Sequence, residues 1–206
     1  MPQLNDIKLK IAGMSGLALK MWQATFRTFM ENNPDLITAI LEDENKVNNL
    51  EKEITAELVD FSRTSADKSE KAKVIFYADI VADLELIGDY CKDILERVQT
   101  KIEEKLLFSE DAVREYSDLY RKTEDALKEI TAALEKDNPG LVKEVFKKQG
   151  HIDTLVDEYR ARHNQRLIDK VCTPIACNMF LNMLDFTAAV YYHAKKIARS
   201  LLKIKS

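Results

Sequence analysis

One stretch of the sequence, from about Asp67 to Lys105, constrains the fold most, because it reads as a single long amphipathic helix. A glycine within such a helix costs roughly 1 kcal/mol relative to alanine, so Gly88 predicts that a neighbouring helix approaches closely. The stripe that predicts burial of one face has apolar or small residues at steps of three and four: Val74, Tyr77, Val81, Leu84, Gly88, Cys91, Leu95 and Val98.

Two polar lines interrupt the apolar pattern. Glu85 and Asp89 lie four residues apart beside the stripe, so their carboxylates share one helix face about one turn apart. On the preceding predicted helix, Glu44, Asn48 and Glu51 form a similar line at the edge of the apolar face. Periodicity alone favours a solvated helix edge for both lines, and the second interpretation is half of a metal site.

The composition is typical of a helical protein with short turns. The chain has 206 residues with only five Gly and four Pro, and 32% of its residues are charged. A net charge of −4 argues against a general nucleic-acid binder. We see no signal peptide, and the most apolar region, 179–192, is too short to span a bilayer. We therefore expect a soluble, cytoplasmic protein.

Cysteines and histidines indicate neither a disulfide framework nor a zinc site. Cys91 falls on the apolar stripe, where a free cysteine behaves as a small hydrophobe, and three cysteines cannot all pair with one another, so we predict a reducing compartment. The spacing of Cys172 and Cys177 does not match the close pairs of zinc sites, and no histidine pair completes it. We expect the three histidines to be surface or interface residues.

The chain divides into two sets of three helices. Breaks near residues 33, 65, 108, 138 and 173 predict an all-α protein of two tandem three-helix bundles, residues 1–107 and 108–206, with the third and sixth helices as the long inner pair. An internal repeat supports this division. Residues 47–53 match residues 152–158 at a constant offset, with Val47-Asn48-x-Leu50 corresponding to Ile152-Asp153-x-Leu155.

The two polar lines belong to longer motifs, Glu44-x-x-Val47-Asn48-x-x-Glu51 and Leu84-Glu85-Leu86-Ile87-Gly88-Asp89-Tyr90-x-x-Asp93-Ile94. Together they resemble the PhoU family of phosphate-uptake regulators. The sequence departs from the family's Leu-Glu-Arg-Ile-Gly-Asp signature at Leu86 and from a following Asn at Asp93. The second half is similar to the PhoU-like domain of bacterial sodium/phosphate cotransporters in three motifs: His163-x-x-Arg166-Leu167, Cys172-x-Pro174-x-Ala176 and Phe180-Leu181-Asn182-x-Leu184.

The resemblance implies a non-catalytic regulator or adaptor of phosphate uptake, either a free subunit or the detached domain of a cotransporter. Its expected partners are a membrane phosphate transporter or its regulatory sensor, met at the inner face of the membrane, and a second copy of the chain, with no direct nucleic-acid contact.

Some family members carry metal clusters on such motifs, which implies a divalent metal or iron cluster in the first half. Several carboxylates on one face repel one another unless they are protonated or bridged by a cation, and oxygen ligands suit Mg, Ca, Mn or iron. The implied ligands are Glu44, Asn48, Glu85 and Asp89, with Glu51 and Asp93 at the margin.

On the fifth predicted helix, Gln149-x-x-x-Asp153 is the counterpart of Glu44-x-x-x-Asn48 and has lost one carboxylate, and on the sixth both carboxylates are gone. Ala188 stands opposite Glu85 and Tyr192 opposite Asp89, both expected to pack within the bundle. We therefore expect any metal site to be confined to the first half.

Two other function classes stay open. A carboxylate-bridged di-iron enzyme would need Glu-x-x-His pairs on two helices, and the nearest arrangement, Glu158-x4-His163, has the wrong spacing. A purely structural helical oligomerisation module would keep the apolar stripes and give the acidic residues no role. We find no Gly-rich phosphate loop or Gly-x-Ser-x-Gly nucleophile motif, so we expect no catalytic residues.

Overall fold

The computed structural model describes residues 3–147 and 149–205. Within these residues the chain forms seven α-helices and one 3-10 turn, with no strand. The helices are α1 (Leu4–Glu31), α2 (Asp35–Thr64), α3 (Lys68–Glu103), α4 (Glu110–Glu135), α5 (Lys143–Lys147), α6 (Gln149–Ile168) and α7 (Pro174–Lys205). The all-helical fold class predicted from the sequence is confirmed.

Side-chain caps begin three of the long helices just after the predicted breaks near residues 65, 108 and 173. Asp67, Ser109 and Thr173 each accept a hydrogen bond from a backbone amide in the first turn of the following helix. These bonds satisfy amides that have no partner within the helix. The starts of α3, α4 and α7 are therefore encoded locally.

The predicted fifth helix, between the breaks near residues 138 and 173, begins as the 3-10 turn Pro139–Val142. The described helical residues after this turn are α5 and α6, and residue 148 between them lies outside the described residues. Val142 in the turn and Val145 in α5 lie in the core, where both are at most 1% exposed.

Two bundles pack side by side around α3 and α7. The first bundle contains α1, α2 and α3, and the second contains α4, α6 and α7. Helix α3 lies along α7, and α1 lies along α4, where Trp22 stacks on Tyr120 with ring centroids 3.8 Å apart. The buried side chains of both bundles form one continuous hydrophobic core. Helices α3 and α7 are thus the long inner pair that the sequence predicted.

The internal repeat is visible in the burial pattern. Val47 on α2 and its counterpart Ile152 on α6 are both at most 1% exposed, and Leu50 and Leu155 are both half-buried. The matching side chains therefore occupy equivalent levels of the two bundles.

Candidate functional site

Helices α2 and α3 touch at Gly88. A Cβ atom placed on Gly88 would lie only 3.2 Å from Cγ1 of Val47, tighter than most real contacts of this kind. The close approach that the sequence predicted at this glycine is confirmed. It brings the polar line of α2 against the carboxylates of α3.

Glu44 is buried in this contact, which corrects the expectation of a solvated edge. Glu44 is 4% exposed, and its Oε1 accepts hydrogen bonds from Asn48 Nδ2 at 3.1 Å and from Lys92 Nζ at 3.0 Å. A buried carboxylate requires such partners because burial without them costs several kcal/mol. Periodicity did not predict this burial, because α3 covers Glu44 in addition to the apolar stripe of α2.

Lys92 is a site residue that the sequence reasoning missed. It lies three residues after Asp89 and seven after Glu85 on α3, hence on the same helix face. Its ammonium reaches across to Glu44 on α2. Its spacing of three and seven residues from the two carboxylates could have indicated that Lys92 belongs to the same site.

Glu85 and Asp89 are half-buried, and the surroundings disfavour their charged forms. Burial raises the pKa of Glu85, and the charges of Asp89, Glu51 and Glu44 raise it further. The pKa of Asp89 is likewise raised by burial and then by the charge of Glu44. Neither carboxylate forms an ion pair within the described ranges. The two polar lines therefore form one electrostatically coupled acidic face.

The two margin residues extend this acidic face along both helices. Glu51 accepts a hydrogen bond from Thr55 at 3.2 Å. The pKa of Asp93 is raised by burial, then by the charges of Glu96 and Asp89. We call the six residues together the acidic face: Glu44, Asn48, Glu51, Glu85, Asp89 and Asp93.

The donor set of the acidic face is compatible with a hard cation. Asn48 Oδ1 is buried without a hydrogen-bond partner, so one oxygen of the predicted ligand set is available. Oε1 of Glu44 is occupied by Lys92, and a cation bound to that oxygen would have to displace the ammonium. Lys92 therefore balances only part of the negative charge of the acidic face.

In the second bundle, Ala188 and Tyr192 stand where the first bundle has Glu85 and Asp89, and Tyr192 differs from the expectation that it packs within the bundle. Ala188 packs partly buried against the core, but Tyr192 is 51% exposed and contacts His193 edge-on. Tyr192 points away from the core because the buried positions of that turn are taken by Tyr191 and Ala194. The side chain of Gln149 lies outside the described residues.

A buried carboxylate between α3 and α7 was also missed. Asp83 is 1% exposed, and its Oδ1 is 2.6 Å from Lys196 Nζ and 2.8 Å from His193 Nδ1. Asp83 lies in register with Ile80 and Ile87 on the buried face of α3. An acidic residue at an apolar position of the stripe was the only indication in the sequence that a buried carboxylate lies here. Its partners are more than a hundred residues away in the chain, so the sequence pattern could not supply them.

The fold and the acidic face define an all-helical protein of two three-helix bundles in which carboxylates face each other across paired helices. Residues 11–98 match the family model described as the PhoU domain. No curated protein sequence matches the chain significantly.

Solved structures of PhoU proteins share the fold over almost the whole chain. PhoU from Pseudomonas aeruginosa has a TM-score of 0.91 at 18% identity and covers 98% of this chain and 96% of its own. The phosphate transport system regulatory protein PhoU from Streptococcus pneumoniae has a TM-score of 0.87 at 14% identity, covering 98% and 95%. A putative PhoU-like phosphate regulatory protein from Shewanella oneidensis MR-1 has a TM-score of 0.59 at 12% identity, covering 98% and 94%.

Residues 11–98 thus match the PhoU domain, and the chain shares the fold of solved PhoU proteins, as the sequence resemblance implied. The matched residues include every residue of the acidic face. Among the described residues, no helix is both long enough and apolar enough to cross a bilayer.

Proposed function

We propose that this chain is a non-catalytic regulator of phosphate transport that binds a membrane phosphate transporter, or its regulatory sensor, at the cytoplasmic side of the membrane. The observation that carries the proposal is the match to the PhoU domain over residues 11–98, within a fold shared along almost the full length with a phosphate transport regulatory protein. The acidic face supports a binding role, because Glu44 bonds to Lys92 while the neighbouring Glu85 and Asp89 have raised pKa values.

We also propose that the acidic face binds a divalent cation through Glu44, Asn48, Glu85 and Asp89. The raised pKa values of Glu85 and Asp89 reflect negative charge held close together and partly shielded from water. A hard cation with oxygen ligands would relieve this repulsion. Exchange of Lys92 for the cation would change the charge of the surface offered to a partner.

Binding to the transporter is tested by recovering membrane complexes on tagged chain from cells grown in phosphate-rich and phosphate-poor media. We expect a subunit of a phosphate transporter or its sensor in the eluate, identified by mass spectrometry, and altered uptake of labelled phosphate when the gene is deleted. Recovery of no such subunit under either condition, together with unchanged uptake, would contradict the proposal.

The cation site is tested by thermal melts of metal-free protein with and without Mg²⁺, Ca²⁺, Mn²⁺ or Fe²⁺. We expect at least one cation to raise the melting temperature of the wild type and not that of Glu85→Gln/Asp89→Asn. The matched control is Asp153→Asn/Asp157→Asn, which removes an exposed carboxylate pair with the same spacing on α6. Equal metal responses of all three proteins would place cation binding elsewhere or nowhere.

A further inference from the structure

A second cluster of ligand-type side chains lies in the other bundle, where α6 turns into α7. Atoms of His163, Cys172 and Cys177 that can bind a metal lie within 4.8 Å of one another. His163 is on α6, Cys172 is in the turn, and Cys177 is in the first turn of α7. Three separate segments therefore converge on one point.

The backbone reversal after α6 brings these segments together. Lys170 adopts a left-handed conformation with φ of 57°, and the amide of Val171 donates to the carbonyl of Arg166 at 2.9 Å. Such a left-handed residue ends a helix and turns the chain back over its last turn. The turn returns Cys172 towards His163, and the cap at Thr173 starts α7 so that Cys177 follows one turn later.

The imidazole of His163 is buried and held in a fixed orientation. The residue is 1% exposed, and its ring stacks on Phe180 with centroids 3.9 Å apart and planes 14° apart. Its Nε2 is buried without a hydrogen-bond partner, whereas its Nδ1 lies 3.1 Å from Nη2 of Arg166. A buried polar atom without a partner is unfavourable, and a metal ion bound to Nε2 would provide that partner.

We propose that His163, Cys172 and Cys177 form a Cys₂His site for Zn²⁺. Two sulfur ligands and one imidazole select zinc over the hard cations suited to the acidic face. Three protein ligands leave a fourth tetrahedral position, which opens on the side of Cys172 because that residue is only half-buried whereas Cys177 is 2% exposed. Water or a side chain of a partner completes the coordination.

Zinc binding requires proton transfers and one local movement. The two thiols lose their protons to solvent and bind as thiolates, and His163 binds through the lone pair of Nε2. The ring proton then resides on Nδ1, so Arg166 must leave its contact with that nitrogen. Arg166 can keep its ion pair with Glu115 on α4, which positions it in the described structure.

The site revises two expectations drawn from the sequence. The spacing of Cys172 and Cys177 does not predict zinc by itself, because the missing imidazole comes from α6, nine residues before Cys172. The second expectation was that any metal site is confined to the first half, and the proposed zinc site lies in the second half. The zinc site shares no ligand with the acidic face, so it stands independently of the proposed regulatory function.

Cobalt provides a spectroscopic test with reduced, metal-free protein. We expect one thiolate-bound Co²⁺ per chain, with thiolate-to-cobalt charge-transfer absorption and tetrahedral ligand-field bands, and we expect Zn²⁺ to displace this signal stoichiometrically. Cys172→Ser and Cys177→Ser should each lose the charge-transfer intensity of one thiolate and weaken binding at least tenfold. His163→Phe, which keeps the stacking on Phe180, should also weaken binding at least tenfold.

Matched controls separate this site from other sources of signal. Cys91→Ala removes the remaining thiol, and Glu85→Gln/Asp89→Asn alters the acidic face. Both variants should show the same thiolate-to-cobalt charge-transfer absorption as the wild type. Far-UV circular dichroism confirms that each variant is folded. Charge-transfer absorption that survives in Cys172→Ser/Cys177→Ser, or no cobalt binding by folded wild type, would overturn the proposal. Formation of a Cys172–Cys177 disulfide in air that zinc does not slow would also contradict it.

Discussion

At the scale of single residues, the acidic face depends on Lys92. Its ammonium bonds to the buried Glu44, while Glu85 and Asp89 stay half-buried with raised pKa values and form no salt bridge among the described residues. Charge on this face is therefore only partly balanced. The imbalance should be measurable as a dependence of stability on pH.

Glu85→Gln/Asp89→Asn should stabilise the metal-free protein at neutral pH. Because the folded state raises both pKa values, it binds protons more tightly than the unfolded chain, so these groups make stability fall as pH rises from the ordinary carboxyl range through the raised values. Like charges at this spacing cost roughly 0.2–0.5 kcal/mol. We expect a gain of about 1–2 °C in melting temperature at pH 7, shrinking as the pH is lowered.

The control for this effect is Asp153→Asn/Asp157→Asn, whose carboxylates are exposed. Solvent screens the repulsion between exposed carboxylates at this spacing, so its melting temperature should rise by less than that of the Glu85/Asp89 variant, with no comparable trend between pH 4 and pH 7. A Glu85/Asp89 variant that melts at or below the wild-type temperature at every pH would show that these residues form an ordinary solvated edge.

At the scale of secondary-structure elements, α2 can approach α3 closely because Gly88 has no side chain. Gly88 lets Val47 reach the backbone of α3, and Val47 is fully buried. The contact opposes the usual preference of helices for alanine over glycine, which is worth roughly 1 kcal/mol.

Gly88→Ala should destabilise the protein by about 1 kcal/mol, because overpacking at Val47 outweighs the gain in helix propensity. Gly13→Ala on α1 is the matched control, since a Cβ there meets nothing within 4 Å, and it should stabilise by about 0.5–1 kcal/mol. Urea denaturation measures both changes. In a Val47→Ala background, Gly88→Ala should become stabilising; a destabilisation that persists there would exclude contact with Val47 as the cause.

The pairing of α3 with α7 relies on the buried Asp83. Asp83→Ala should cost about 2 kcal/mol, since it leaves Lys196 and His193 without their shared acceptor between packed helices. Asp185→Ala removes a carboxylate of α7 that is 51% exposed and paired with Arg160, so it should change stability by less than about 0.5 kcal/mol. Similar urea midpoints for the two variants would contradict a role for Asp83 in joining the bundles.

At the scale of the whole molecule, the two bundles share one hydrophobic core. Trp22 of α1 stacks on Tyr120 of α4, and the hydroxyl of Tyr120 donates to the carbonyl of Trp22 at 2.7 Å. Separation of the bundles would expose both aromatic rings and the apolar faces of α3 and α7. A molecule of this kind should unfold as one unit.

We therefore expect a single cooperative transition. Trp22 is the only tryptophan in the sequence, so its fluorescence reports the contact between the bundles, whereas far-UV circular dichroism reports all helices. The two signals should follow one curve in urea. A fluorescence change that precedes the loss of helix would show that the bundles separate before they unfold.

The sequence by itself determined the features that depend on neighbours along the chain. The caps at Asp67, Ser109 and Thr173 follow from hydrogen bonds within a few residues, and the apolar stripes follow from the helical repeat. The tight contact at Gly88 was predictable because glycine is unfavourable in a helix unless something requires it. These local rules were sufficient for the fold class, the inner helix pair and the acidic residues of α2 and α3.

The tertiary structure alone decided which polar side chains are buried and what they meet. Glu44 and Asp83 are buried because another helix covers them, and their lysine partners come from α3 and α7. His163 joins two cysteines because a turn folds back over α6. A residue's local pattern carries no information on such encounters, because their free energy depends on contacts between segments that only the packed fold brings together.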